Sequence, residues 1–390
     1  MKFCACVAEY NPLHLGHLKH IEYMKSSLNA EHLIVIMSGN FTQRGEIAVM
    51  NKFKRAEQAV MAGADLVIEL PTVFATANAE VFAKGAVKIL SELGVDGGLC
   101  FGVESGDRQA YLTLADAMNN ESKEFKKALK IELEKGVSLA KAKFNALKSI
   151  GAEGLDENLI NSPNNVLGLE YTKALSLYKN RLEIYPMHRD GNHNDPTLKK
   201  KITSATSIRT YIKSGDKGKI KKYLPKFVYS SITPYPYAFE KAVITHAITT
   251  PSEKMALCPD CTEGLENRIK ALLKDNADYT ALIEKASTKR YTHARISRIL
   301  TANLLGITKS LTDDALSSPL YAKVLAVKAD KKFLLTELSQ RSEIPLLIRK
   351  SDASDLKKTA RACFEKDVLA SDLYNFFTGE NSNENYTSFV

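Results

Sequence analysis

The first hundred residues alternate between short apolar runs and stretches with helical spacing, and this rhythm is the strongest constraint on the fold. The apolar runs cover residues 3–9, 33–37, 66–70 and 98–101. Helical patterns lie between them at 17–27, 52–62 and 77–93. Apolar runs of this length, bounded by Gly, Pro and Asn, are typical of buried strands. Strands that alternate with helices predict a Rossmann-like parallel sheet with crossover helices, an α/β fold.

Polar residues whose side chains could bind a ligand or take part in catalysis cluster where these predicted strands end. They occupy residues 11–17, 38–46, 69–71 and 102–104. In open parallel sheets, ligands bind in the crevice at the carboxyl ends of the strands. The sequence therefore predicts one binding site built from these four segments.

The remainder of the chain is expected to be mainly helical. Residues 107–150 carry a charged helical pattern and are interpreted as an insertion, and a further strand is predicted around 182–185. A boundary near residue 225 would separate a nucleotide-binding catalytic domain, 1–225, from a mostly helical domain, 226–390. The polar, Asn-rich tail from 379 onward is expected to fray.

Composition and the N-terminus favour a cytoplasmic protein. Hydrophobic residues make up 44% and charged residues 25% of the chain, the balance of a globular protein. No apolar run approaches the roughly 20 residues of a membrane helix. The apolar start ends at Glu9, which is too early for a signal peptide. We expect no membrane association, and no protein partner is indicated.

The cysteines indicate reduced thiols rather than a disulfide framework. Six of them are scattered along the chain, mostly within apolar stretches. Cys258 and Cys261 have the spacing of half a zinc site, but a second ligand pair is missing from the sequence. A turn is the preferred interpretation there, and no metal site is predicted.

The net charge of +9 fits a polyanionic partner without requiring one. The basic residues are densest between 199 and 226, where ten lysines and arginines face a single acid, Asp216. Such a run is either a contact with a phosphate backbone or a solvated helix face. Both interpretations remain open from the sequence.

The segment His14-Leu15-Gly16-His17 follows the first predicted strand and begins the first predicted helix. A helix N-terminus offers free backbone N–H groups and attracts phosphate, and glycine lets a nucleotide approach closely. The two imidazoles can donate hydrogen bonds as charge grows on an α-phosphoryl group. The alternative is two surface histidines at a helix start.

A second candidate is Ser204-Ala205-Thr206-Ser207-Ile208-Arg209, which opens a helical run through residue 212. Its hydroxyl groups can cap the helix and bind phosphate oxygens, while Arg209 clamps them. By itself the segment would be interpreted as an ordinary helix N-cap. Downstream of the two histidines it is the expected partner for the β- and γ-phosphates.

These two motifs, in this order, resemble those of the nucleotidylyltransferase (HUP) superfamily. Longer blocks resemble, more closely, the bacterial tRNA(Met) cytidine acetate ligase family; they cover residues 7–20, 37–46, 65–71, 162–168, 204–209, 263–268 and 289–292. The resemblance implies ATP as co-substrate together with Mg²⁺. It also implies that acetate is activated as acetyl-adenylate and transferred to the wobble cytidine of elongator tRNA(Met).

The resemblance also implies which residues bind ATP. Besides Ser204, Thr206, Ser207 and Arg209, they are Gly102, Asn164, Arg189 and the segment Val7, Ala8, Glu9, Tyr10, Asn11, Pro12, Leu13, His14, Leu15, Gly16, His17, Leu18, Lys19 and His20. His14 and His17 are the expected catalytic residues.

Contacts to acetate or to the cytosine base are expected from Gln43, Arg44 and Glu46, although the same residues could form a purely structural strand–helix loop. Contacts to tRNA phosphates are expected from Lys201, Lys221, Lys222, Lys289 and Arg290, with Arg295 and Arg298 as further candidates; solvated helix faces are the alternative.

Two other functions remain open at this stage. A small-molecule adenylyltransferase would share both motifs, but it would leave the basic run and the helical C-terminal part without a role. A tRNA-binding protein that only senses ATP would need neither histidine for catalysis. Intact His14, Gly16, His17 and Arg209 favour an enzyme.

Overall fold

The computed structural model describes residues 1–120, 122–137, 139–151, 157–178, 181–189, 204–275, 278–288 and 290–390. Within these residues eight strands form one sheet, in the order β5-β4-β1-β2-β3-β6-β7, with β8 paired to β6. The strands are β1 Phe3–Ala8, β2 His32–Ser38, β3 Leu66–Leu70, β4 Asp96–Val103, β5 Arg181–His188, β6 Ala322–Val327, β7 Leu346–Leu347 and β8 Ser388–Phe389.

Helices cover both faces of the sheet and build most of the C-terminal part. They are α1 Leu15–Glu22, α2 Lys52–Ala62, α3 Thr72–Ala75, α4 Ala79–Glu92, α5 Arg108–Asn119, α6 Lys123–Glu134, α7 Leu139–Ser149, α8 Asn158–Asn161, α9 Pro163–Leu175, α10 Ala205–Lys213, α11 Lys226–Tyr229, α12 Ala238–Thr249, α13 Ser252–Met255, α14 Leu265–Asp275, α15 Tyr279–Ala286, α16 His293–Leu305, α17 Lys309–Ser317, α18 Phe333–Arg341 and α19 Lys358–Thr378. A π-helical turn, Tyr23–Ser27, extends α1. Short 3₁₀ segments cover Lys217–Tyr223, Ala329–Lys331 and Lys350–Asp355.

The predicted α/β architecture is confirmed. Strands β5, β4, β1, β2 and β3 are parallel neighbours, with β1 at their centre. Side chains of β2 and β3 are buried throughout, as expected of a sheet covered on both faces. Helix α2 has the predicted bounds and ends at Gly63, whose φ of 123° suits glycine. The predicted helical insertion at 107–150 contains α5, α6 and α7.

The C-terminal part contributes strands that were not predicted. β6 pairs antiparallel with β3 and so extends the same sheet, while β7 and β8 pair with β6. The expectation of a frayed tail is wrong, because β8 is paired and Glu384 is only 2% exposed. Since the sheet draws strands from both sides of residue 225, the division into two domains at that position stays a prediction.

No helix in the described part of the chain is long and apolar enough to cross a membrane.

The tail is held by a buried ionic cluster. Lys52 Nζ, at the start of α2, lies 2.7 Å from Glu69 on β3 and 2.6 Å from Glu384. Lys323 Nζ on β6 donates to the backbone carbonyl of Glu384 at 3.0 Å. Ser371 donates to the Glu384 carboxylate at 2.6 Å. These contacts satisfy charges that would be costly to bury without partners.

Arg55 on α2 ties the strand ends together from inside the core. Its guanidinium donates to the carbonyl oxygens of Glu9 at 2.5 Å, Ser38 at 3.1 Å and Gly39, and its Nε donates to Met50 O at 2.9 Å. Burial lowers the pKa of Arg55 to about 10, so the side chain remains a cation at neutral pH. One fully buried side chain thereby fixes the ends of β1 and β2 relative to each other.

Replacing Arg55 with Met is expected to destabilise the protein by about 3 kcal/mol or more, because buried carbonyl groups lose their donor. Thermal unfolding followed by circular dichroism would measure the change. The neighbouring Lys54, whose side chain is 48% exposed, provides the matched control. Lys54→Met should stay within about 0.5 kcal/mol of the wild type. Equal stability of the two variants would contradict the role given to Arg55.

Candidate active site

A cleft of about 720 Å³ opens at the carboxyl ends of β1, β4 and β5. Its walls come from the loop after β1, the first turns of α1 and α9, the start of α10 and the N-terminal end of α16. The predicted site residues that line it are Val7, Ala8, Glu9, Tyr10, Asn11, Gly16, His17, His20, Gln43, Arg44, Gly102, Asn164, Arg189 and Arg209. The structure therefore brings most of the predicted nucleotide site into one cleft.

The remaining members of the predicted set do not line this cleft. They are Pro12, Leu13, His14, Leu15, Leu18, Lys19, Glu46, Ser204, Thr206 and Ser207. Leu13 is fully buried and belongs to the hydrophobic core. His14 lies directly behind His17, and Glu46 reaches the site through Arg209.

The two histidines form a capped helix start with fixed ring orientations. His14 Nδ1 accepts a hydrogen bond from Gly16 N at 3.0 Å, and His17 Nδ1 accepts one from His14 N at 3.2 Å. The rings stack with centroids 3.8 Å apart and planes at 20°. Because both Nδ1 atoms accept from backbone N–H groups, each neutral ring carries its proton on Nε2. Nε2 of each ring is therefore a hydrogen-bond donor.

Tyr10 and Asn11 shape the wall beside His17. The Tyr10 ring packs edge-on against His17 with centroids 5.0 Å apart. Asn11 Oδ1 accepts from Val49 N at 2.8 Å, and Asn11 is one of the residues that line the cleft. Asn11 is 2% exposed, and its Nδ2 has no hydrogen-bond partner among the described residues. A buried donor without a partner at a cleft wall favours a bound acceptor such as a phosphate oxygen.

Arg209 joins the second motif to the first. Its Nη1 donates to Asn11 O at 3.0 Å, its Nη2 to Thr206 Oγ1 at 3.4 Å, and its Nε lies 3.5 Å from the carboxylate of Glu46. Ser204 Oγ caps α10 by accepting from Ser207 N at 3.1 Å, and the two hydroxyls lie 2.9 Å apart. The serines thus build the helix start, while Arg209 reaches the cleft.

Gly102 and Arg189 form the end of the cleft that lies over β4 and β5. A Cβ atom at Gly102 would lie 2.6 Å from Arg189 Cδ, so only glycine leaves this space for the arginine. Burial lowers the pKa of Arg189, although the nearby Glu104 opposes the shift. Asn164 Nδ2 donates to Glu104 Oε1 at 2.5 Å. Together these residues place amide and guanidinium donors around a pocket walled by the apolar side chains of Phe101, Val166, Leu167 and Met187.

His20 is neutral at physiological pH. Burial, together with the nearby Arg189 cation, lowers its pKa to about 4. Its Nε2 lies 3.2 Å from Cys100 Sγ on β4. The side chain therefore adds no charge to the cleft and instead packs the first helix against the sheet.

The loop between β2 and α2 docks onto α16 and closes the opposite side of the cleft. Gly45 has a φ of 70°, and a Cβ atom there would overlap the backbone of Ser297 and Arg298. Thr301 Oγ1 donates to Gly45 O at 2.7 Å. This close approach brings Thr292, Ala294 and Arg298 of the C-terminal part into the cleft wall. Thr292 and Ala294 were not predicted as site residues, although Thr292 ends the block 289–292 that resembles the ligase family.

Arg298 is part of a structural network rather than an exposed cation. Its Nε and Nη2 both lie 2.8 Å from Asp260 Oδ2, and Arg295 Nε donates to Asp260 O at 3.0 Å. The turn that contains Asp260 also holds Cys258 and Cys261, where burial raises the pKa of both thiols to about 12. Within the described residues no group of three His, Cys, Asp or Glu side chains could hold a metal ion.

Of the predicted tRNA contacts that the structure describes, Arg298 lines the cleft, whereas Lys221, Lys222, Arg290 and Arg295 do not. Lys201 and Lys289 fall outside the described residues. Lys221 and Lys222 line a separate shallow depression together with Lys219. Arg290 is exposed and forms an ion pair with Glu263. Lys221, Lys222 and Arg290 are therefore not brought to the candidate site.

The sequence and the fold match proteins of known family. The model of the HIGH nucleotidyl transferase family matches residues 1–388. The chain is 38% identical to the tRNA(Met) cytidine acetate ligase of Acetivibrio thermocellus, over 96% of this chain and 94% of that protein. It is 35% identical to the tRNA(Met) cytidine acetate ligase of Clostridium novyi, over 96% of this chain and 95% of that protein.

Two solved structures share the fold at 27% identity. Apo Thermotoga maritima TmcAL superposes with a TM-score of 0.92 over 100% of both chains. Thermotoga maritima TmcAL bound with alpha-thio ATP superposes with a TM-score of 0.86 over 98% of this chain and 96% of that one. On the evidence of its sequence and fold, the chain belongs to the HIGH nucleotidyl transferase family and, within it, to the tRNA(Met) cytidine acetate ligases.

Proposed function

We propose that this protein is an ATP-dependent ligase that acetylates the exocyclic amine of the wobble cytidine in elongator tRNA(Met), acting in the cytoplasm. The observation that carries the proposal is the cleft at the end of β1. It is lined by His17, with its proton on Nε2, and by Asn11, whose buried Nδ2 has no hydrogen-bond partner among the described residues. The names of the relatives and the nucleotide-analogue complex of the structural neighbour support the same activity.

The first step joins acetate to the α-phosphate of ATP. A carboxylate oxygen of acetate forms a bond to the α-phosphorus, and the bond to the bridging oxygen breaks so that pyrophosphate leaves with the electron pair. Negative charge grows on the oxygens around phosphorus during this displacement. We expect His17 Nε2–H and Asn11 Nδ2–H to donate to those oxygens. His14 contributes by orienting His17 through stacking and through its backbone N–H.

The residues at each end of the cleft indicate which part of the substrates would bind there. Asn164, Gly102 and Arg189 would hold the adenosine half, because donors there surround a space with apolar walls. Arg209, fixed by Asn11 O and Glu46, would hold the departing phosphates. Gln43 and Arg44 on the opposite wall would bind the acetate carboxylate.

The second step moves the acetyl group to RNA. The cytidine N4 forms a bond to the acetyl carbon, the carbon–oxygen bond to the phosphate breaks, and AMP leaves with that electron pair. The amine loses one proton, which passes to solvent water. Acetyl-adenylate is already activated, so this step depends mainly on holding the amine near the carbonyl carbon.

Magnesium would accompany ATP through its phosphate oxygens. Mg²⁺ commonly keeps several waters and is held by substrate phosphates with few protein ligands. This fits a cleft where Glu9 and Glu46 already have partners, Gln43 N and Arg209 respectively. The ion would neutralise phosphate charge when it is bound with the nucleotide.

Purified protein incubated with ATP, Mg²⁺, radiolabelled acetate and bulk bacterial tRNA should produce labelled N4-acetylcytidine after RNA digestion and chromatography. The His14→Ala, His17→Ala double variant should lower kcat by about 100-fold or more, because an oriented donor to the transition state is lost. His246→Ala, which removes an exposed imidazole on α12, is the matched control and should retain full activity.

Pyrophosphate release without label in RNA would overturn the proposal in favour of a small-molecule adenylyltransferase. Full activity of the double variant would leave the reaction in place but contradict the role of the two histidines.

Gly102→Ala should raise the KM for ATP by about 10-fold, because the added methyl group displaces Arg189 from the adenosine end. Acetate-dependent exchange of pyrophosphate into ATP measures this without tRNA. Gly218→Ala is the control, since a Cβ atom there would meet no described atom within 4 Å. An unchanged KM in Gly102→Ala would show that Arg189 does not contribute to nucleotide binding.

A further inference from the structure

A second, smaller cleft adjoins the candidate active site. Its volume is about 250 Å³, and it is lined by the loop after β2, by Lys213 at the end of α10, by α15 and by the start of α16. Arg44 and Ala294 belong to the walls of both clefts, so the two spaces meet along these side chains. Apart from Glu46, which contacts Arg209, the remaining walls of the smaller cleft have no role in the proposed ATP and acetate sites.

The order of the sheet places this cleft beyond the reacting atoms. β4 and β5, which carry Gly102 and Arg189, lie on one side of β1. β2, whose following loop carries Arg44 and Glu46, lies on the other side. With adenosine over β4 and the α-phosphate at the end of β1, the acyl group faces the β2 side. The smaller cleft therefore opens where an acceptor of the acyl group has to approach.

The walls of the smaller cleft suit a flat polar ring. Tyr279, Ile283 and Ser297 are buried and form its inner surface, and Tyr279 and Ser297 satisfy each other through a 3.3 Å contact between hydroxyls. Thr280, Glu284 and His293 are exposed and form its rim. The volume is below the roughly 300–1,000 Å³ of pockets for drug-sized ligands, which favours a single base over a larger group.

Arg44 and Glu46 supply complementary groups at the junction of the clefts. The guanidinium of Arg44 is partly buried and has no hydrogen-bond or ion-pair partner among the residues that the structure describes. Glu46 is partly buried and remains an acceptor beside Arg209. Cytosine presents acceptors at O2 and N3 and a donor at N4, whereas uracil presents an N3–H donor and an O4 acceptor. A guanidinium and a carboxylate that line the same cleft match the first pattern and oppose the second.

We infer that the smaller cleft is the acceptor subsite, and that it receives one unstacked cytosine whose Watson–Crick edge faces Arg44 and Glu46. This inference rests on the proposed function. An enzyme that modifies a base takes that base out of the stack and reads its hydrogen-bonding edge in a pocket. In this position the cytosine N4 faces the acyl group past the Arg44 side chain, and the rest of the RNA lies outside the smaller cleft.

The test separates adenylate formation from acetyl transfer. Thr280→Trp fills the rim of the smaller cleft and leaves the main cleft unchanged, since Thr280 lines only the smaller one. Acetate-dependent pyrophosphate exchange should stay within about twofold of the wild type, while kcat/KM for tRNA acetylation should fall at least about 50-fold. Thr245→Trp, on the exposed face of α12, is the control and should retain both activities.

A second measurement examines base selection. Binding of a short RNA hairpin with C at the wobble position, compared with the same hairpin carrying U, is followed by fluorescence anisotropy. Wild-type protein should prefer C, and Glu46→Gln should reduce this preference by about 10-fold, because an amide also donates to the O4 of uracil. Should Thr280→Trp fail to fold, the Glu284→Ala, His293→Ala double variant replaces it in the transfer assay.

The remaining outcomes overturn the inference in distinguishable ways. Normal acetyl transfer by Thr280→Trp, or an unchanged preference in Glu46→Gln, shows that cytosine binds elsewhere. Loss of pyrophosphate exchange in Thr280→Trp assigns the cleft to adenylate formation instead. Wild-type protein that exchanges pyrophosphate but acetylates no RNA removes the proposed function itself, and the acceptor subsite with it.

Discussion

The hydrogen bonds of the Arg55 guanidinium set the geometry on which the candidate site depends. A parallel sheet leaves carbonyl groups at its strand ends that the next turn cannot satisfy, and here they are buried. Arg55 donates to carbonyls at the ends of both β1 and β2. The loop that carries Asn11 and the loop that carries Arg44 are thereby held next to each other. A catalytic cleft between two loops needs such a fixed support, because small displacements of donors reduce transition-state stabilisation strongly.

The cleft combines elements that are far apart in the sequence, and each makes a different contribution to the site. The helix start at His14 and His17 supplies oriented donors, and Asn11 adds a buried amide. Gly102 supplies space rather than an interaction. Gly45 has the same role for the protein itself, since it lets the β2–α2 loop lie against α16. The wall from the C-terminal part is therefore built into the site by backbone contact.

Local sequence patterns predicted the strands and helices that depend on neighbouring residues. They did not predict which strands pair when the strands lie far apart in the sequence. The strands and helices up to β4 follow from apolar periodicity, and the two histidines follow from their place after β1. β6 was missed because a six-residue run among helices, interrupted by Lys323, does not indicate a partner strand. The buried pair of Lys52 and Glu384 could not be predicted, because charged residues in a helix and in a polar tail ordinarily face solvent. Cleft residues such as Ala294 depend on how α16 docks, which no short motif encodes.

The antiparallel pairing of β6 with β3 has a consequence for synthesis on the ribosome. While the growing chain extends only through residue 321, β3 has an unpaired outer edge in an otherwise formed sheet. Lys52 and Glu69 then lack Glu384 and have to remain hydrated. Exposed strand edges promote association with other chains, so this intermediate is a natural client for a chaperone. The strands made last thus complete the sheet, and they also cover the edge of β3 that is exposed during synthesis.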